Sequence, residues 1–381
     1  MMKNLTTKHS GNASYTVTRL KLSSDLANNI REQLCQVQLI IIDGISMVGS
    51  TVLGYVNTRL RQITGVNEPF GGLSVLAVGD LNQLPPVKDK PVYQVSNQNQ
   101  MAPLIDINPL WDQFVFYELT EIMRQKNDRA FINALNNLAL GTMKTDDINL
   151  IKCREIKNIN DIPETAIRLY ATNKNVSSYN AQRISQCKSK LFTSTAQVVF
   201  SKDITEGEKK IILRSINKKA NNIAIELPDV IQLKVNIKYM IIKNIDVEDG
   251  LVNGACGILK YIECKDANIP STLWLDFHTP RVGINIRARH RDYMTKNNID
   301  NVLTPIERIS IQTSVAQDDK YKILKNQFPI IPAEAITIHK SQGQTYVKIC
   351  LDFTAQERQT LSMLYVALSR VTKLSGLFII G

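Results

Sequence analysis

Leu22, Leu26, Ile30 and Leu34 recur every four residues, which predicts one face of a helix with Ser24 as its N-cap. The period then collapses. Residues 39–43 read LIIID, a short unbroken apolar run ending in a carboxylate, and this predicts a buried central strand of a parallel sheet. Val48, Val52, Val56, Leu60 and Ile63 predict a helix after it. Residues 73–80, LSVLAVGD, predict a second buried strand that ends in aspartate and runs into a proline-containing loop; 115–119, VFYEL, predict a third. Strands alternating with helices predict an α/β sheet with helices on both faces.

A second α/β unit begins at 167–173, IRLYATN, a predicted strand, with a helix over 175–187. From about 190 to 325 short apolar runs such as KKIILRS, IKYMIIKNI, GILKYIE and STLWLDF alternate with Lys, Asn and Gly turns. That texture predicts a β-rich insertion with small-barrel character. The α/β pattern resumes at PAEAITIHKSQG, which predicts a helix start with Pro332 at its front. A strand in TYVKICLDF, a helix in QTLSMLYVALSRV and a last strand in GLFIIG follow. The expected organisation is a poorly ordered start at 1–20, a first lobe at 21–145, a second lobe at 146–190 and 325–381, and the insertion at 191–324.

Composition narrows the class. The 381 residues are 44% hydrophobic and 21% charged, an ordinary globular balance with apolar surface for more than one core. The net charge of +11, from 46 Lys and Arg against 35 Asp and Glu, is compatible with a polyanionic partner and equally with a charge that serves solubility. Cys35, Cys153, Cys187, Cys256, Cys264 and Cys350 show no Cys-x-x-Cys spacing and there are four histidines, so neither a structural metal site nor a disulfide framework is expected. That cysteine usage fits a reducing, intracellular compartment. The first fifteen residues carry no apolar signal core, and the longest apolar runs fall far short of a membrane span, so no membrane association is expected.

Candidate chemistry sits at the strand ends. Asp43 lies where an α/β nucleotide enzyme holds Mg²⁺, at the carboxyl end of a parallel strand. Taken alone, the run is as well explained as a core strand with a polar end. A glutamate commonly follows in such sites to orient and deprotonate an attacking water; here the next residue is Gly44, which has no side chain to serve as a base. The second strand ends in Gly79-Asp80, and the loop after it places Gln83 beside Pro85 and Pro86. The prolines fix that loop, and the Gln83 amide can donate and accept, so it can read a terminal phosphate.

Together these segments resemble a known family. IIIDGISMVG, GGLSVLAVGDLNQLPPV and ELTEIMRQ resemble consecutive motifs of the Pif-family DNA helicases, superfamily 1B and related to RecD-type enzymes. FPIIPAEAITIHKSQGQTYVKICLDF and LSMLYVALSRV resemble that family's last two motifs, and GLVNGACGILKYIE its barrel insertion. The order is kept from about residue 20 to residue 381. The resemblance implies two RecA-like lobes of the P-loop-NTPase type, the first incomplete, and a β-rich barrel-like insertion in the second. It implies ATP and Mg²⁺ as cofactors, single-stranded or forked DNA as partner, and 5′→3′ DNA unwinding with roles in repair, recombination and telomere maintenance. In a eukaryotic host it implies a nuclear location.

Residue by residue, the resemblance gives Arg124 and Arg370 the role of reaching the γ-phosphate, with Gln83 beside them. Arginine suits this, because its planar and permanently charged fork stabilises charge on a transferring phosphoryl group. Asp43, Asp80, Gly343 and Gln344 fall to the nucleotide, Gly343 by permitting close backbone approach. Thr337, His339, Lys340, Ser341 and Gln342 fall to the DNA backbone, Lys340 foremost by phosphate contact. A satisfied structural histidine is the other reading of His339. Two basic stretches in the insertion could line a DNA path or be solvated faces. The first is Lys202, Lys209, Lys210, Arg214, Lys218 and Lys219, with acids interspersed; the second is Arg281, Arg287, Arg289 and Arg291.

No G-x-x-x-x-G-K-[ST] phosphate loop occurs in these 381 residues, and position 44 lacks the carboxylate. The expectation is an N-terminally truncated first lobe and little or no ATP hydrolysis by this polypeptide alone. Two functions remain open: part of a catalytic DNA helicase, or a non-catalytic single-strand-binding remnant or regulator, such as a decayed mobile-element helicase.

Overall fold

The structure is a computed structural model that describes residues 22–94, 108–200, 207, 227–266, 268–277, 279–314, 322–354 and 359–381. The expected poorly ordered start, the segment KKIILRS and the basic stretch Lys202, Lys209, Lys210, Arg214, Lys218 and Lys219 lie outside the described residues. The chain divides into two compact units, one of residues 1–166 with 341–381 and one of residues 167–340.

In the first unit the strands Leu39–Asp43 and Ser74–Val78 pair in parallel, with Asp43 opposite Val78. The helix Ser50–Thr64 makes the crossover that a parallel pair requires. It is capped from outside its own sequence: Asp89 accepts from the Thr51 amide and the Thr51 hydroxyl. A Cβ at Gly49 would fall 1.9 Å from the Asp89 carboxylate, so glycine is required where the chain enters the helix. Leu53, Leu60 and Ile63 of this helix are buried, and Leu53, Leu60, Ile45, Phe70 and Val92 form a core that Ile40, Ile42, Val75 and Ala77 pack against. Burial of each such side chain contributes roughly 1.5–3 kcal/mol.

Three sequence expectations are corrected here. The strands 39–43 and 74–78 are not buried on both faces: each alternates, and Leu39, Ile41, Leu76 and Val78 stay exposed. The apolar run asks for two covered faces, and the described residues cover one. Residues 115–119 form no strand, and Val115, Phe116, Tyr117 and Leu119 are all exposed. A β-branched and aromatic run has strand propensity, but a strand exists only by pairing, and no described strand lies beside it. The first helix spans Ser24–Leu34 as expected, but Ser23 caps it, accepting from the Leu26 amide at 3.3 Å.

The remainder of the first unit is helical with one strand pair. The helices Arg129–Leu140 and Thr145–Lys152 lead to the strands Ile349–Asp352 and Leu377–Ile380, which pair in parallel. Between those strands lies the helix Leu361–Leu368, capped by the Thr360 hydroxyl, with Val366, Ala367 and Leu368 buried.

The second unit begins with the fully buried strand Ile167–Tyr170, followed by the helix Asn173–Gln186. A parallel strand, Ala335–Thr337, pairs with Ile167–Tyr170. Pro332 closes a strand, Ile330–Pro332, rather than opening a helix; the helix is the short Ile338–Ser341. The described part of the intervening chain is mostly antiparallel β, as its texture predicts, with the short helices Ile284–Arg289 and Arg291–Lys296. Five strands run in the order Thr304–Ile306, Ile269–Phe277, Cys256–Asp266, Lys238–Ile241 and Ile330–Pro332. Leu259, Leu273, Leu275, Phe277 and Tyr239 of these strands share one core with Phe328. A three-stranded and a two-stranded sheet complete the unit.

Candidate nucleotide and nucleic-acid site

Strand register sets the geometry. Asp43 ends one strand of the parallel pair, and Asp80 follows two residues after the end of its neighbour, so both carboxylates leave the same edge of the sheet. The two ends approach closely, since a Cβ at Gly79 would lie 3.0 Å from the Ile45 amide. Asp43 is exposed and accepts from the Gly44 amide at 2.8 Å. Gly44 itself adopts the left-handed conformation, φ 71° and ψ 38°.

The loop after Asp80 is built on that carboxylate. The Asn82 amide donates to Asp80 Oδ1 at 3.0 Å, and the Gln83 side chain donates to Oδ2 at 3.3 Å. A third donor arrives from far along the chain: the Tyr365 hydroxyl donates to Asp80 Oδ2 at 2.8 Å. Burial first, then the Asp80 charge and this hydrogen bond, raise the Tyr365 phenol well above its ordinary value, so it stays protonated at neutral pH.

Both sequence-selected arginines converge on the same place. Arg124 donates to the Thr345 hydroxyl at 2.8 Å and to the Ser369 carbonyl at 3.1 Å. Arg370 is almost fully buried; its Nε donates to the Val366 carbonyl at 3.0 Å and its Nη2 to the Ser369 hydroxyl at 2.9 Å. Burial, then the neighbouring Arg124 charge, push the Arg370 guanidinium down to about 10. Burial also lowers Arg124. Two cations held together and partly desolvated form a site that an anion would relieve. Gln344 accepts from the Tyr346 hydroxyl at 2.6 Å, and Gly343 is left-handed with open space where a Cβ would stand.

The segment selected for DNA contact is not uniformly accessible. Thr337 is buried and its hydroxyl accepts from the Lys340 amide at 3.2 Å, while Ser341 is fully buried. His339 and Lys340 are exposed. Gln342 is half-buried and donates to Gln83 Oε1 at 3.2 Å. Of the described arginine cluster, Arg281 and Arg291 are exposed and Arg289 lies 3.6 Å from Asp246. Arg287 is structural, donating to the carbonyls of Val282 and Pro280 and to the Thr304 hydroxyl.

Sequence reasoning missed Gln125 and Tyr365. Both lie inside motif-bearing segments, next to or near a selected arginine, but no periodicity or spacing marks what they touch. Among the described residues no group of three His, Cys, Asp or Glu side chains could hold a metal. The single exposed carboxylate of Asp43 fits a Mg²⁺ ion that keeps most of its waters and shares substrate phosphates, which is how this cation commonly binds beside phosphates. No described helix is long and apolar enough to cross a membrane.

Comparison with known proteins finds similarity to one group of helicases. A family model described as PIF1-like helicase matches residues 11–149, and one described as the 2B domain of DNA helicase Pif1 matches residues 219–260. The chain is 28% identical to the ATP-dependent DNA helicase PIF1 of Candida albicans over 91% of its own length and 44% of that protein. It spans about half the length of the curated relatives it matches. Its fold is similar to the crystal structure of the Candida albicans Pif1 helicase, with a TM-score of 0.67 at 25% identity, covering 93% of this chain and 74% of that one. It is also similar to a Bacteroides Pif1 helicase in complex with ADP-AlF3 and single-stranded DNA, with a TM-score of 0.60 at 25% identity, covering 94% of this chain and 73% of that one.

Proposed function

We propose, from the premise that this chain belongs to the PIF1-like helicase family, that it serves ATP-dependent DNA unwinding and supplies the arginine-bearing face of the nucleotide site together with part of the DNA grip. The observation that carries this reading is the convergence of Arg124 and Arg370 beside the Asp80–Gln83 loop, from three separate stretches of sequence. In this reading the two guanidinium groups meet a terminal phosphate and Gln83 reads its presence. Asp43 would hold a Mg²⁺ ion, which would neutralise phosphate charge. Exposed Lys340 and His339 contact the phosphates of single-stranded or forked DNA. The lobes we assign are 21–145 for the first, and 146–190 with 325–381 for the second, with 191–324 as the insertion. An intracellular location follows from a DNA partner, the nucleus in a eukaryotic host.

A second reading is favoured by Gly44. Its left-handed backbone supplies no carboxylate to the sheet edge, so the 381 residues by themselves would bind DNA without turning ATP over. ATP hydrolysis by the purified chain, with and without saturating single-stranded DNA, separates the two. Absence of turnover with retained DNA binding supports the non-catalytic reading for this polypeptide. DNA-stimulated hydrolysis supports the first and removes the second. Loss of both activities would defeat both.

A further inference from the structure

We propose that Tyr365 is a positioning residue that, through Asp80 and Gln83, sets the Gln342 amide and keeps the arginine pair open; the proposal rests on the nucleotide and DNA reading of this site. Four side chains form one unbroken path. The Tyr365 hydroxyl donates to Asp80 Oδ2 at 2.8 Å, Gln83 Nε2 donates to the same oxygen at 3.3 Å, and Gln342 Nε2 donates to Gln83 Oε1 at 3.2 Å. One end of the path is on the helix Leu361–Leu368, whose next turn carries Arg370; the other is in the loop after Ser341. The far end depends on the path. Gln342 Oε1 is buried without a partner among the described residues, so the bond to Gln83 is what fixes that amide.

The charge at the centre gives the path its strength. Hydrogen bonds to an ionised carboxylate are about twice as strong as neutral ones. Tyr365 matters for a second reason. Asp80 is close enough to Arg370 and Tyr365 to act on both electrostatically. With the phenol donating, the carboxylate is satisfied where it stands. Without it, Asp80 would keep the Gln83 amide and the Asn82 backbone as donors and would be drawn towards the guanidinium groups, which a phosphate would then have to displace. A phenylalanine at 365 keeps the ring and its packing and removes only the donor.

The test is a double-mutant cycle on single-stranded DNA affinity, using the full chain and a fluorescein-labelled oligothymidylate. Tyr365→Phe should weaken binding about threefold or more, the size expected for the loss of one hydrogen bond. Gln342→Ala should weaken it as well, and the double variant should be no weaker than the weaker single. Multiplying losses, or an unchanged affinity in a folded Tyr365→Phe protein, would overturn the path. If the unsubstituted chain binds no DNA, the functional reading fails and the path is judged separately. Carbon-13 labelling of the tyrosine ring then follows the one resonance that Tyr365→Phe removes. Asp80→Asn should move its ionisation to lower pH, and no movement would overturn the path.

Discussion

The side-chain amide of Gln125 donates to the Val371 carbonyl at 2.6 Å and to the Ser369 carbonyl at 3.0 Å, so one buried residue brackets Arg370 from both sides. Its neighbour Arg124 reaches the same Ser369 carbonyl. The two arginines are therefore held in one frame although 245 residues separate Arg124 from Ser369. Gln125→Ala would leave the buried Val371 carbonyl without this donor, while the Ser369 carbonyl keeps Arg124. It should destabilise the protein by about 1–3 kcal/mol, read as a lower denaturant midpoint at unchanged slope. A loss under half a kilocalorie would mean that water replaces the amide freely.

Gly44 offers a sharper test of chemistry. A Cβ there would meet nothing within 4 Å, so space does not forbid a glutamate. Its φ of 71° does oppose one, at about 1–2 kcal/mol for a residue with a side chain. Gly44→Glu should lower stability by about that amount and, on the non-catalytic reading, give no ATP turnover, because one carboxylate does not supply the phosphate cradle of a motif that these 381 residues do not contain. Gly44→Ala separates the backbone cost from the charge. ATP turnover by the glutamate variant would refute this account.

Tyr365 predicts a pH signature. Its phenol is raised above the ordinary 10.0, chiefly by burial and by the Asp80 charge. The folded state then holds a proton that the unfolded chain releases, so this contribution is complete below pH 10.0 and is lost as pH rises further. Arg370, lowered to about 10, acts with the opposite sign over the same range. Comparing the native chain with Tyr365→Phe cancels the arginine. The stability advantage of tyrosine over phenylalanine should shrink as pH rises above 10.0, in urea titrations at several alkaline pH values.

Lys340 predicts a salt signature. It is exposed beside buried Ser341, in the segment selected for backbone contact. Lys340→Ala should reduce the slope of log affinity against log salt by about 0.7 for single-stranded DNA. Thr337→Val should leave that slope unchanged, because the Thr337 hydroxyl is turned into its own turn. Equal slopes for the native chain and Lys340→Ala would remove this lysine from the DNA contact.

The sequence by itself determined a good deal. The period-four run placed a helix where Ser24–Leu34 forms one, and the apolar runs at 39–43, 73–80 and 167–173 placed the strands Leu39–Asp43, Ser74–Val78 and Ile167–Tyr170, because local periodicity is written in consecutive residues. Strand ends singled out Asp43 and the loop of Asp80 and Gln83, and the resemblance of their motifs to a known family singled out Arg124 and Arg370. The tertiary structure alone decided which of these meet. Tyr365 reaches Asp80, and Gln125 reaches Val371, through contacts between segments far apart in sequence, and no local pattern encodes a partner at that distance. Tertiary structure also decided burial. VFYEL has the composition of a strand and Leu39 and Ile41 that of a core, yet pairing and covering depend on a neighbour, which a run of apolar residues can require but cannot supply.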